Sequence, residues 1–121
     1  PYINQLELAA ELNRMPFPGV NFVPIQFTPD SSKFDGYLCN GVNILLTERD
    51  ADSPVNLGIA IAHTLHRLYR EDYDIDAFNR LLRHPEVIEK IKAGYSWQPI
   101  VESWRSEVPA FEERRKPYLL Y

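Results

Sequence analysis

Cysteine, glycine and long apolar runs are all scarce in this sequence of 121 residues, and each shortage excludes a class of protein. Cys39 is the single cysteine, so no internal disulfide can form, and its thiol is expected to pack in the core. The five glycines are dispersed and form neither GxGxxG nor GxxxxGK, which disfavours nucleotide binding. Because no run of eighteen apolar residues exists, the sequence predicts no membrane span.

Basic charge is scarce as well. Thirteen Lys and Arg are outnumbered by seventeen Asp and Glu, and a formal net charge of -4 predicts no binding to nucleic acid. The one basic cluster, at residues 114–116, is interpreted as a solvated last helical turn, where the helix dipole favours cations. The length and the hydrophobic fraction of 45% predict one domain over residues 1–121 with a single core.

Apolar residues at helical spacing predict two helices in the first seventy residues. The first covers about residues 4–14 and is closed by Pro16 and Pro18. The second is longer and begins with Ser53 as its N-cap and Pro54 in its first turn. Its apolar face consists of Leu57, Ile61, Leu65 and Leu68.

Three more helices are predicted after residue 75. Asp76 is expected to cap a short helix, and Pro85 to start another that stops at Gly94. The last begins at Ser96, with an apolar stripe expected to face the core and a bend where Pro109 removes a backbone donor. The stripe consists of Ile100, Trp104, Val108 and Phe111.

Two segments rich in branched and aromatic residues predict strands. Residues 20–27 contain Pro24, which cannot donate to a central ladder and so indicates an edge strand. Residues 42–47 have the composition of a strand buried on both faces, and the two are expected to pair. The predicted fold class is therefore α+β, a small mixed or antiparallel sheet packed against four to five helices.

The polar residues contain no recognisable catalytic set. His63 and His66 lie three apart on the long helix and share a face, but no third ligand has a matching spacing for a metal. They are interpreted as partly exposed structural histidines, and no metal or other cofactor is predicted. Four loop aspartates could converge as the carboxyl pair of a glycosidase, although spacing does not establish that geometry. They are Asp30, Asp35, Asp50 and Asp52.

Residues 27–34 combine aromatic rings, three hydroxyls and one lysine within eight positions. Aromatic faces pack on the apolar side of a sugar ring, hydroxyls hydrogen-bond to it, and a lysine offers a point charge to a carboxylate. This mixture indicates a loop that contacts a sugar. The alternative is an ordinary turn, for which Thr28-Pro29-Asp30 has suitable chemistry.

Short segments spread over most of the chain together carry a family signature. The strongest are Phe27-Thr28-Pro29, Ser32-Lys33-Phe34, Ser103-Trp104 and the chain end from Arg115 to Tyr121. Weaker matches are Phe17-Pro18-Gly19-Val20, Gly36, Cys39, Gly41-Val42, Thr47, Arg49-Asp50, Pro54-Val55, Gly58, Leu68-Tyr69, Gly94, Glu107 and Phe111. On these residues the chain resembles the C-terminal domain of the NamZ-type (YbbC-like) exo-β-N-acetylmuramidases, and Pro109 departs from the family pattern.

The resemblance implies a bacterial two-domain glycosidase that removes terminal N-acetylmuramic acid from peptidoglycan fragments held between its domains. The larger, Rossmann-like N-terminal domain of such an enzyme carries the catalytic glutamate, and this chain matches only the smaller domain. With Pro1 in place of an initiator methionine, the chain is expected to be processed or excised. Alone it is expected to be inactive and to contain no catalytic residue, and its partner is expected to be that N-terminal domain.

The resemblance also implies a set of substrate-binding residues. They are Phe27, Thr28, Ser32 and Lys33, with Arg49 and Asp50 as a second group. Lys33 is the expected partner of the lactyl carboxylate of muramic acid. Arg115 and Tyr118 are expected to anchor the chain end to the core or to contact sugar. The alternative function is a non-enzymatic carbohydrate-binding or protein-interaction module.

Two further expectations concern location and surface. The family favours a periplasmic or extracellular protein, although the first four residues have neither the basic start nor the apolar run of a signal peptide. An exposed apolar patch is expected wherever a partner domain would cover this one.

Overall fold

A β-hairpin and six α-helices form the part of the chain that the computed structural model describes, residues 1–48, 53–105 and 107–120. The α+β class with a small antiparallel sheet is confirmed. There is one helix more than predicted, because the last predicted helix is divided into two. In chain order the elements are α1 Gln5–Asn13, β1 Val20–Phe27, β2 Cys39–Leu46, α2 Pro54–Leu68, α3 Ile75–Leu82, α4 Pro85–Lys92, α5 Trp97–Glu102 and α6 Glu107–Arg115, followed by a 3-10 turn at Lys116–Tyr118.

Two asparagines set the start of α1 and its position on the hairpin. Asn4 caps the helix, since its side-chain oxygen accepts hydrogen bonds from the amides of Leu6 and Glu7 at 3.1 and 3.2 Å. Asn13 pairs with the backbone of Phe22, donating to its carbonyl at 2.8 Å and accepting from its amide at 2.9 Å. The helix predicted over residues 4–14 is confirmed, and it covers the sheet face that carries the buried Phe22 ring.

The hairpin pairs antiparallel from Val20 opposite Leu46 to Phe27 opposite Cys39. Both strands are edges of a two-stranded sheet, which is why Pro24 is tolerated. The prediction that the second strand is buried on both faces is wrong. Val23 and Leu45 lie on the face opposite Phe22 and are 40% and 44% exposed, because none of the described helices covers that face.

Helix α2 lies between two parts of the core. The larger part includes its deeply buried residues Ile59, Ala60 and Ala62, together with residues of α3, α4 and α5. The predicted apolar face is half-buried and packs on the other part, against α1 and the hairpin. Leu57 and Met15 pack against both parts, so the two form the single core that the chain length predicts.

The start of α3 differs from the prediction by two residues. Asp74, and not Asp76, is the cap, and its carboxylate accepts from the amides of Asp76 and Ala77 at 3.1 and 3.2 Å. The helix starts earlier because Ile75 is buried in the core and takes the first helical position. Helix α4 starts at Pro85 as predicted, and Gly94 closes it with a φ of 84°.

The single bent helix predicted at the C-terminus is wrong. Helix α5 ends at Glu102 and α6 begins at Glu107, so Pro109 lies in the first turn of α6, where its missing amide costs no hydrogen bond. The predicted stripe faces the core only at Ile100 and, in part, Trp104. Phe111 is 52% exposed, and no residue of α6 or the 3-10 turn is buried.

We call residues 107–120 the C-terminal arm. Its apolar side chains, including Val108, Tyr118 and Leu120, are exposed, so within this chain the arm does not anchor the chain end to the core. The basic cluster at residues 114–116 is solvated, as predicted. None of the helices described is both long and apolar enough to cross a membrane.

Candidate functional site

Four of the six predicted substrate-binding residues lie at one end of the hairpin. Phe27 is the last residue of β1, and Thr28, Ser32 and Lys33 lie in the loop of residues 28–38 that joins the strands. All four side chains are exposed. The second predicted group, Arg49 and Asp50, lies outside the residues that the structure describes.

The backbone of this loop takes an unusual path. Ser32 and Phe34 both have a φ of 68°, in the left-handed region that costs a residue with a side chain about 1 to 2 kcal/mol. Three backbone hydrogen bonds hold the path: the amide of Gly36 donates to the carbonyl of Pro29 at 2.9 Å, that of Tyr37 to Phe34 at 3.0 Å, and that of Asp35 to Ser32 at 3.3 Å. Such conformations cluster at binding sites, where the surrounding structure compensates their cost.

The loop presents aromatic rings and one ammonium group to solvent. Phe27, Phe34 and Tyr37 are all exposed, and the Lys33 ammonium lies 5.1 Å from the centre of the Phe34 ring. Gly41 leaves room for the Phe27 ring, since a Cβ there would lie 3.4 Å from it. Ring faces beside a cation and hydroxyls form a surface suited to a sugar that carries a carboxylate.

A second concave region, which we call the α5 groove, lies at the start of α5. Its volume is about 540 Å³, and residues of α2, α5 and α6 line it. Trp97 forms part of the wall and stacks on Phe17 with the ring centres 5.0 Å apart. Trp104 forms another part of the wall, and its ring centre lies 5.7 Å from the ring centre of His84. The sequence did not predict this groove, because Trp104 was interpreted only as a family marker and a core residue and Trp97 was not singled out.

The loop and the groove are separate sites. Pro16, just before β1, lines the groove, and the loop begins where β1 ends at Phe27. The amide of Thr47 bonds the carbonyl of Gly19 at 2.8 Å, which closes the end of the hairpin nearest the groove. Between these two ends of the hairpin, the eight residues of β1 make seven steps of about 3.3 Å and span roughly 23 Å.

The described carboxylates do not form a glycosidase pair in the groove. Among the described residues that line it, Glu102 is the one acid, and it bonds Arg105 at 3.0 Å. Asp30 and Asp35 lie in the loop of residues 28–38, at the other end of the sheet. A hydrolytic site needs an acid and a second carboxylate across the scissile bond. The described lining of the groove supplies one carboxylate, and the predicted Asp50 and Asp52 lie outside the described residues.

The two histidines of α2 border a smaller cavity of about 200 Å³ near Gly94. Both are half-buried, and the Nδ1 atom of each is buried without a hydrogen-bond partner. Burial lowers the pKa of His63, and the positive charge of Arg67 acts in the same direction. Burial also lowers the pKa of His66, and so does the charge of Arg70. The described residues include no group of three or more side chains placed to hold a metal.

We expect His63 and His66 to make the folded protein less stable in weak acid. Because both folded pKa values lie below the usual 6.5, the unfolded chain binds more protons, and stability is lost as the pH falls below about 6.5. The hydrogen bond from Arg67 lowers the pKa of Glu11, so the contribution of this carboxylate to the stability of the fold is lost only below pH 4.5. We expect the melting temperature to fall between pH 7.5 and pH 5.5.

A variant isolates the contribution of the histidines. In the double variant His63→Gln, His66→Gln the same change of pH should lower the melting temperature less, because no imidazole titrates on α2. His84→Gln is the control, since that side chain is exposed. An equal pH dependence in wild type and double variant would contradict the assignment.

Comparison with known proteins decides the family. Residues 1–121 match the family model described as exo-β-N-acetylmuramidase NamZ, C-terminal. The chain belongs to this family. The resemblance carried by residues 27–34 and the chain end is thereby confirmed, including the correspondence to a C-terminal region.

Two known proteins, one compared by sequence and one by structure, are similar to this chain. The chain is 36% identical over 124 residues to the peptidoglycan β-N-acetylmuramidase NamZ of Bacillus subtilis (strain 168), covering all of this chain and 30% of that protein. The crystal structure of a DUF1343 family protein from Bacteroides fragilis NCTC 9343 has the same fold, with a TM-score of 0.84 at 22% identity. That match covers 99% of this chain and 33% of the other. The chain thus spans about a third of the relatives that it matches.

Proposed function

We propose that these residues form the substrate-binding C-terminal domain of a longer exo-β-N-acetylmuramidase that releases terminal N-acetylmuramic acid from peptidoglycan fragments. In this proposal the loop of residues 28–38 contacts the sugar, and the rest of the protein supplies the catalytic carboxylate. The observation that carries it is the exposed set of aromatic rings at this end of the hairpin, with the Lys33 ammonium beside the Phe34 ring. The relative from Bacillus subtilis, which is a peptidoglycan β-N-acetylmuramidase, supports the choice of substrate.

The loop offers each group that this sugar requires. Phe27, Phe34 and Tyr37 provide ring faces for the apolar side of a pyranose. Thr28 and Ser32 provide exposed hydroxyls that both donate and accept hydrogen bonds. Lys33 provides a cation for the lactyl carboxylate, which distinguishes muramic acid from other N-acetylhexosamines.

Two uncovered apolar surfaces support an association with the rest of the protein. One is the outer sheet face of Val23 and Leu45, and the other is the C-terminal arm with Phe111 and Leu120. Burying such side chains contributes about 1.5 to 3 kcal/mol each. The curated relative has more than twice as much chain outside the matched region, which is enough for a domain that could cover them.

The Lys33→Ala variant of the full-length protein tests the role of the loop. We expect KM for a chromogenic N-acetylmuramide to rise about tenfold or more, because a hydrogen bond to a charged group contributes about 1.5 to 3 kcal/mol. The turnover number should change little, since Lys33 is placed at the binding surface and not at the scissile bond.

Lys90→Ala is the matched control, because Lys90 lies on α4, which packs against neither strand of the hairpin. Its KM should equal that of the wild type. If Lys33→Ala also leaves KM unchanged, the loop does not hold the carboxylate and the assignment is wrong.

A further inference from the structure

We propose that the α5 groove is a second glycan-binding site, which takes an uncharged N-acetylhexosamine residue. This inference rests on the proposed function in one respect, that the full-length protein acts on a glycan containing such residues. It adds a binding site that is separate from the loop of residues 28–38. A glycan of several sugars would be held at both places.

The shape and the aromatic walls of the groove suit a sugar ring. A volume of about 540 Å³ falls within the range of small-molecule sites. Trp97 is 9% exposed and is fixed by its stacking on Phe17, with the ring planes 24° apart, so it forms a rigid part of the wall and only a small part of its ring is open to a ligand. Trp104 is half-buried and adds a second indole to the wall.

The polar groups of the groove suit hydroxyl and acetamido groups. Asn56 is half-buried and Gln98 is exposed, and both line the groove. Neither side chain forms a hydrogen bond with another residue in the described part of the chain. Each amide offers donors and an acceptor, the same combination that a sugar hydroxyl or an N-acetyl group presents in return. The half-buried amide of Asn56, which bonds none of the other described residues, gains from such a ligand.

The charges at the rim select against an anionic ligand. Arg105 is the one cation among the described residues that line the groove, and it is bonded to Glu102 at 3.0 and 3.3 Å. The pair is neutral as a whole, so a phosphate or a nucleotide finds no free positive charge there. An uncharged sugar residue bonds to the amides without displacing the pair.

Isothermal titration of the full-length protein with chitotetraose tests the proposal. This oligomer of N-acetylglucosamine lacks the lactyl carboxylate that Lys33 is proposed to bind, and variants of the groove residues assign its binding to the groove. We expect saturable binding to the wild type and a loss of about tenfold or more in affinity for the double variant Asn56→Ala, Gln98→Ala. Each neutral hydrogen bond removed accounts for about a fivefold loss. The melting temperature of the variant should stay unchanged, because neither amide bonds another residue in the part of the chain that the structure describes.

The control variant Gln5→Ala should bind chitotetraose as the wild type does, because it removes an amide on α1 that does not line the groove. Absence of saturable binding, or equal affinity in the double variant, would overturn the inference. Hydrolysis of the chromogenic N-acetylmuramide by the same preparations tests the proposed function separately, so the two failures are distinguishable.

Discussion

Replacing Ile100 with alanine should lower the free energy of unfolding by about 2 to 5 kcal/mol. Ile100 is 1% exposed and lies in the larger part of the core, where α5 packs against α2. The substitution removes buried carbon atoms and leaves a cavity whose walls relax only partly. Because a domain of this size has a total stability of about 5 to 15 kcal/mol, the loss is a large fraction of it.

Urea unfolding followed by circular dichroism measures this loss. Leu81→Ala is the matched control, because it shortens an aliphatic side chain in helix α3 that is 86% exposed. The control should change the unfolding free energy by no more than about 0.5 kcal/mol. If both substitutions cost the same, the burial assigned to Ile100 is wrong.

Elements whose boundaries are set locally were predicted well. Asn4 caps α1 with its own side chain, and Pro85 and Gly94 frame α4 through backbone conformations that those residues favour. These signals lie within a few residues of the boundary that they set. They are therefore readable without knowledge of the fold.

Burial was predicted less well, because a pattern shows that a face is apolar but not what covers it. Val108 and Phe111 continue the helical spacing of Ile100, yet both are exposed after the chain turns at residues 103–105. The apolar composition of β2 likewise indicated two covered faces, and one of them has no cover within the described residues. Apolar residues that a partner domain would bury have the same pattern as core residues.

The two candidate sites differ in how far sequence could predict them. The loop groups Phe27, Thr28, Ser32 and Lys33 within seven consecutive positions, so its chemistry is visible without a structure. The α5 groove combines Asn56 with Trp104, which lie almost fifty positions apart. Only the packing of α5 against the start of α2 brings them together.

The largest predicted effect concerns activity. The 121-residue chain alone should not hydrolyse a chromogenic N-acetylmuramide, because its candidate sites hold binding groups and its groove has one described acid, already paired with Arg105. The full-length protein should hydrolyse it at an enzymatic rate, which exceeds the uncatalysed rate by about a million-fold or more. The expected difference rests on the described residues, whose groove lining offers no second carboxylate to act across the bond to be broken.

Side-by-side hydrolysis of that substrate by the two proteins, at equal molar concentration and in the same buffer, tests the central claim most directly. Circular dichroism of both samples establishes that each is folded. The account predicts release of the chromogen by the full-length protein and none above background by the short chain. Strong activity from residues 1–121 alone would contradict it, because the catalytic groups would then lie within this domain.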